Sequence, residues 1–453
     1  MTILLPAGAL MSVLDRAADA ADFDRWHEQV RRTGFCSHPV RLRGQSTTVN
    51  PETGEVVGTF TSASQPDGDL LIACGNRRVT RCPSCAETYR QDSFHLVAAG
   101  LRGGKGLPAT VSSHPRVFAT FTAPGFGPVH TRQDSGGVCH RRRRDDVCKH
   151  GHPRGCWLRH RQGDPMLGQP LCTGCFDYEA AVLWNAVAPE LWRRTTIAIR
   201  RQLARLGGVR VRELNQHVRL RFTKVIEYQA RGAVHVHAVL RLDGPEPDKV
   251  TAAVGTWTTE LLQDAIVAAT AQACAPIPGA GGARWGEQLV VDALPADSLA
   301  EAQRVAAYVA KYATKSADGA GSLDRRLTRG EQIDGLVIDE HRRELVETAW
   351  RLGGLPEYKD LRLRPWAHSL GYRGHWATRS RIYSTTLRAL RETRAEWHRG
   401  AASTASVTSE GSWTYAGSGY RTPGDAWLAE TGQARRLSEL VERRQYAITR
   451  TEP

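Results

Sequence analysis

"RLRFTKVIEYQARGAVHVHAVLRLDG" spans residues 219–244 and reads as two alternating strand segments joined by Ala230, Arg231 and Gly232. A three-residue loop ending in glycine suits a hairpin, because glycine accepts the left-handed conformation at that place. The turn fixes a register in which Gln229 faces Ala233, Tyr228 faces Val234 and Glu227 faces His235. Side chains alternate along a strand, so His235 and His237 share one face with Glu227 beside them. Two imidazoles and a carboxylate make a candidate site for a divalent ion, manganese, magnesium or zinc, with open positions for a phosphate oxygen. Taken alone, His-Val-His reads rather as the polar face of an amphipathic strand; the carboxylate brings the two readings level, so the other neighbours must decide.

The first neighbour is "EAQRVAAYVAKYATKSAD" (301–318), an alanine-rich helix former that puts Tyr308 and Tyr312 on one face, a turn apart. Lys311 and Lys315 lie four apart on an adjacent face. Two readings compete: a packing stripe with solvated lysines, or a phenolate that attacks a phosphodiester with metal and lysine offsetting the developing charge. A free phenol, with a pKa of about 10, is a weak nucleophile at neutral pH, and the flanking lysines favour its ionised form. Upstream, "RVFATFTAP" (116–124) alternates apolar and small polar residues and ends at a proline, as a strand does.

With 453 residues the chain can bury two or three cores, and a net charge of +14 with pI near 9.6 points to a polyanionic partner. Nucleic acid fits better than membrane. The opening "MTILLPAGALMSVLDRAADAADF" has too short an apolar run and no basic lead, so a cytoplasmic location is expected. "LRGGKGLPAT" (101–110) lacks the spacing of a phosphate loop, so no nucleotide cofactor is expected.

Nine of the ten cysteines precede residue 176, grouped as reduced metal ligands would be. Cys82 and Cys85 have knuckle spacing, and Cys74 and Cys36 complete a candidate four-thiolate zinc site. A second group holds Cys139, Cys148, Cys156, Cys172 and Cys175 with His150 and His152. From it Cys148, Cys156, Cys172 and Cys175 are chosen as one closed tetrahedral site, giving one or two structural zinc ions. Cys274 stands alone and reads as a small buried apolar residue. Residues 362–399 carry nine arginines against two glutamates with aromatic residues between them, the composition of a surface for single-stranded or distorted DNA. Arg373, Trp376, Arg379, Arg381 and Tyr383 are the candidate DNA contacts.

"FATFTA", "HVHAVL" and "YVAKYATK", in that order, resemble the three motifs of rolling-circle replication initiators of the HUH endonuclease superfamily, in the class with paired tyrosines. "WAHSLGYRGHWATRSRIYSTT" (366–386) and the cysteine-rich run 148–186 look more specifically like actinobacterial plasmid initiators of the RepSA type, over about Cys74 to Thr386. The resemblance implies an α+β fold with a ferredoxin- or RRM-like antiparallel sheet flanked by helices, zinc-binding insertions and a mainly helical C-terminal region. It implies His235 and His237 as ligands of catalytic Mn2+ or Mg2+, with Glu227 inferred as the third, and Tyr308 as first nucleophile, leaving a 5′-phosphotyrosine and a free 3′-hydroxyl. Tyr312 would serve the second cleavage and Lys311 would assist the phosphate. Origin DNA, single-stranded or hairpin, would be the substrate, with host helicase and polymerase as partners. The expected division is 1–105, 106–325 with an insertion at about 130–176, and a basic 326–453. A mobilisation relaxase or transposase shares the chemistry, but conjugative relaxases place the tyrosine ahead of the histidines. The reading outside catalysis is a zinc-stabilised DNA-binding regulator.

Overall fold

The structure is a computed structural model of the whole chain. It describes every residue except 1–4, 7, 134, 144, 297, 319–322, 324, 325, 400–406 and 450–453, and no side chains of 314–318, 397–399 and 447–449. The fold is α+β with antiparallel sheets. It divides into two units, Ser93–Thr386 and a second built from Met1–Asp92 with Leu387–Pro453. The boundaries therefore differ from those expected: the chain's last segment returns to its first, and the basic stretch up to Thr386 belongs with the histidine hairpin.

In the larger unit a five-stranded antiparallel sheet runs in the order Ala377–Arg379, Arg219–Tyr228, Val234–Asp243, Arg116–Phe121, Leu289–Ala293. The hairpin register is the one its turn requires, with Glu227 opposite His235 and Val225 opposite His237. Gly232 sits at φ 79°, and Gln229 N donates to Ala233 O at 2.9 Å. One face carries Val234, Val236, Ala238, Leu240 and Leu242, all buried, and helices Tyr178–Leu206 and Thr259–Gln272 pack on that side in the main core. Pro189 sits inside the first of these without ending it. The other face carries the histidines, and helix Leu299–Asp318 lies across it.

The turn is held from outside the sheet by Asn185, which is fully buried on helix Tyr178–Leu206. Its Nδ2 donates to Gly232 O (2.9 Å) and Leu370 O (3.1 Å), and its Oδ1 accepts from Val234 N (3.0 Å). Arg231 donates to Pro124 O and Ala123 O at 2.6 and 2.8 Å. The tip that sets the histidines' register is thus pinned to three other chain segments.

In the smaller unit, Val40–Val49 pairs with Thr408–Ser418, Val56–Thr61 and Leu70–Ile72. Residues 408–418 are rich in Gly, Ser and Thr, as a linker is, yet they form a strand, with the ring of Trp413 5.9 Å from that of Phe60. Strand pairing with a partner nearly four hundred residues away leaves no local signal in composition. Helices Ala9–Ala17 and Ala20–Arg32 are separate, and Asp19 caps the second by accepting from Ala21 N and Asp22 N.

Replacing Asn185 by Ala leaves two buried carbonyls and one N–H without partners. The expected result is a loss of about 2–4 kcal/mol in urea unfolding of the larger unit's transition, well above a typical surface substitution.

Candidate functional site

The face opposite the core gathers its side chains from three strands and a helix. His235 and His237 come from Val234–Asp243, Glu227 from the neighbouring strand, and Thr120 lies opposite His237 on the strand Arg116–Phe121. The donor atoms of Glu227, His235 and His237 all lie within 4.8 Å of one another. His237 Nε2 is 3.2 Å from Glu227 Oε2, while its Nδ1 is 3.1 Å from Thr120 Oγ1. His235 Nε2 is 2.7 Å from Thr122 Oγ1. A hydroxyl on each ring fixes its orientation, as partners behind metal-bound histidines do. Sequence reasoning did not pick out Thr120 and Thr122; the alternation in "RVFATFTAP" put both on one face but could not say which strand they would meet.

Both tyrosines face this cluster. The Tyr312 ring stacks on His237 at 5.0 Å and 27°, and the Tyr308 ring stands edge-on to His237 at 5.3 Å and to Phe118 at 5.6 Å. The two phenol rings are 4.6 Å apart. Tyr308 is 39% exposed and Tyr312 half-buried. Lys311 Nζ lies 5.8 Å from the Tyr312 ring centre, and the Lys315 side chain is outside the described residues. Buried apolar residues Ala302, Val305, Ala306, Val309 and Ala313 line the same helix, which explains why it seats on the sheet.

Burial, a hydrogen bond with Tyr308 and the charge of Glu227 push the Tyr312 phenol well above its ordinary pKa. The flanking lysines are expected to favour a phenolate, but at Tyr312 burial is the largest cause of the shift and works against one. A cation bound by Glu227 would offset the carboxylate's share of that penalty. Burial and the neighbouring His237 lower His235 to about 4, so it is neutral at pH 7 with a lone pair available to a metal. Two imidazoles and one carboxylate fit a divalent ion and leave open positions for oxygen ligands.

Three further groups of donors meet the same distance limit among the described residues: Cys36, Cys74, Cys82 and Cys85; His130, Cys139, Cys156 and His160; Cys148, His150, Cys172 and Cys175. The first gathers the four expected thiols. The second region departs from expectation: Cys156 lies apart from Cys148, Cys172 and Cys175, and His150 takes the fourth place. Spacing alone favoured the four thiols, whereas His150 follows Cys148 by two residues and reaches Cys172 and Cys175 at 3.5 and 3.3 Å. Cys274 is half-buried and apart from these groups.

Beyond the site, the chain as a whole is similar to known proteins. A family model described as RepSA, replication initiator protein, pSAM2, matches residues 22–434. The chain belongs to the RepSA replication initiator family. A replication initiator protein of Streptomyces ambofaciens is 43% identical over 441 residues, covering 92% of this chain and 91% of that protein. No solved structure matches.

In this RepSA-family chain the basic aromatic segment is only partly a surface. Tyr383 is fully buried, its ring under the Arg241 guanidinium at 5.2 Å, so it cannot stack on a base. Trp376 packs on Tyr228 and Tyr372 at 5.3 and 5.5 Å, beside the edge strand Ala377–Arg379. Tyr383 is interior and Trp376 half-buried because the segment completes the sheet. Arg373 and Arg381 are exposed and Arg379 half-buried. Among the described residues no helix is long and apolar enough to cross a membrane.

The lowered pKa of His235 has a consequence for stability. Its unfolded value is near 6.5 and its folded value near 4, so between these the unfolded chain binds the proton first and stability falls as pH falls. Lowering pH from 7 to 5 is expected to cost about 1–2 kcal/mol through this residue. Urea midpoints at the two pH values should therefore differ less in His235→Gln than in the parent.

Proposed function

We propose that this protein initiates plasmid replication by cutting one strand at the origin through a tyrosine and later rejoining it, as an HUH-type nickase and strand transferase. The observation that carries the reading is that the rings of both Tyr308 and Tyr312 lie against His237, itself within hydrogen-bond distance of Glu227. Two nucleophiles on one metal-binding cluster suit two successive cleavages. A divalent ion at Glu227, His235 and His237, Mn2+ or Mg2+, would polarise the scissile phosphate and lower the cost of its developing charge.

Tyr308, the more exposed phenol, is the first nucleophile. Its oxygen bonds to phosphorus, the bond from phosphorus to the 3′-oxygen breaks, and that oxygen takes up a proton to become the primer hydroxyl. Tyr312 attacks the junction regenerated after one round, and the released 3′-hydroxyl then displaces Tyr308 from the first phosphate, closing a circle. Lys311 adds positive charge beside the phosphate. Arg373, Arg379 and Arg381 remain as phosphate contacts, with base stacking by Tyr383 withdrawn. Polymerase would extend the primer. The chain's lack of a phosphate-loop motif makes strand separation the task of a host helicase.

Incubating the protein with single-stranded origin DNA and Mn2+ should give a covalent 5′ adduct. Tyr308→Phe/Tyr312→Phe should abolish it, His237→Ala should lower it by about 10²-fold or more, and Tyr312→Phe alone should keep first cleavage but lose circle release. An undiminished adduct in the double variant would contradict the proposal and leave a DNA-binding role without this chemistry.

A further inference from the structure

We propose that residues 130–175 form a single module held by two zinc ions whose ligand pairs interleave along the chain, and that this module braces the turn of the histidine hairpin. In chain order the donors fall into four pairs: His130 with Cys139, Cys148 with His150, Cys156 with His160, and Cys172 with Cys175. The first and third pairs converge, and so do the second and fourth. Each ion therefore closes a loop that contains donors of the other, and the two sites are not separable fingers.

The distances fit tetrahedral zinc. With Zn–S of about 2.3 Å and Zn–N of about 2.0–2.1 Å, the edges of such a tetrahedron are about 3.3 Å for N···N, 3.6 Å for N···S and 3.8 Å for S···S. In the first site His130 Nδ1 and His160 Nε2 are 3.2 Å apart, Cys156 Sγ is 3.5 Å from His160 Nε2, and Cys139 Sγ is 3.9 Å from His130 Nδ1. In the second, His150 Nδ1 is 3.3, 3.5 and 4.0 Å from the sulfurs of Cys175, Cys172 and Cys148. The other nitrogen of His160 is 2.7 Å from Asp164 Oδ2, the carboxylate partner that orients a metal-bound imidazole.

Burial supplies an independent reason. Between 130 and 175 the buried residues among those described are Cys139, Cys148, Cys156, His160, Gly168 and Cys172. All but the glycine are donors. Val147, Trp157, Leu158 and Met166 are exposed instead. Among the described residues, strand pairing within the segment is limited to isolated bridges, His140 with Cys156 and Val147 with Pro153, beside a short turn at Thr173–Cys175. A stretch this long with neither an apolar interior nor regular elements does not order itself, and metal coordination substitutes for the missing core.

The brace follows from where the module ends. A side chain on Gly168 would run into the backbone of Ala230 and Arg231, so its last loop lies directly on the hairpin turn. At its base, Phe126 sits 5.7 Å from the Arg231 guanidinium, and Phe126 O accepts from Asp177 N at 2.7 Å. The turn that sets Glu227 opposite His235 is thereby clasped between module and core.

Native mass spectrometry of the full chain counts the ions. Cys148→Ser/Cys156→Ser should carry two fewer zinc ions than the parent, since it breaks both sites; a deficit of one or none overturns the interleaved pair. His150→Cys and His160→Cys keep four donors each. Loaded with cobalt(II), each should retain the parent's metal count while its ligand-field bands move to longer wavelength and its sulfur charge-transfer absorption grows. Unchanged spectra overturn those ligand assignments. Hydrogen exchange at amides 228–235 should quicken in Cys148→Ser/Cys156→Ser, and unchanged exchange there overturns the brace.

Discussion

The carboxamide of Asn185 is the constraint on which the rest of the larger unit depends. Its three hydrogen bonds to Gly232, Leu370 and Val234 tie the hairpin tip to a core helix and to the segment that leads into the edge strand. A hairpin with a loosely held turn can slip by one residue, and such a slip turns every side chain to the opposite face. Here it would bury His235 and His237 under the helices and leave Val234 and Val236 on the open side. Tyr228 adds a hydrogen bond to Ser369 O, and His341 Nε2 lies 3.1 Å from Arg231 O, so the tip is held from several directions. Chemistry on this face is thus specified by packing on the other.

The same alternation makes one strand serve two ends. Residues 235 and 237 point to the tyrosines, and farther along the same face Arg241 and Asp243 are fully buried. Asp243 accepts from Arg241 at 2.6 and 2.8 Å, and the ring of His114 lies 2.8 Å away. Burial raises the Asp243 carboxyl, but these partners outweigh it and hold its pKa below the usual carboxylate range. Arg241 and Arg116 also donate to the carbonyls of Gly100 and Leu101, in the last turn of helix Pro83–Arg102. Guanidinium groups at a helix C-terminus satisfy carbonyls that have no partner within the helix. One end of the face is a rigid ionic anchor, and the other gathers the donors of Glu227, His235 and His237, which could hold a metal.

What could be read from the sequence was local or periodic. The register of residues 227–235 followed from a three-residue turn, and the shared face of Tyr308 and Tyr312 followed from helical spacing. Less legible were features set by distant partners. Thr120 became a partner of His237 only through strand order. Tyr383 looked like a stacking surface because composition cannot tell an aromatic among exposed arginines from one lying under a buried guanidinium. The strand Thr408–Ser418 was hidden in linker-like composition because its stability comes from pairing with Val40–Val49. Cysteine spacing found the four thiols of the first group. It mis-sorted the second, where interleaved pairs place neighbours in sequence into different sites.

In the proposed reaction, two phenols of helix Leu299–Asp318 lying against the histidine face perform two transesterifications. Trypsin cuts after Arg304, Lys311 and Lys315, which puts Tyr308 and Tyr312 on different peptides. Protein trapped on single-stranded origin DNA with Mn2+ can be digested and its nucleotide-linked peptides sequenced by mass spectrometry. The first-cleavage adduct is expected on the peptide 305–311, with the peptide 312–315 labelled only when a second cleavage is allowed. An adduct confined to any other peptide, or DNA cut with no linked peptide, would contradict it.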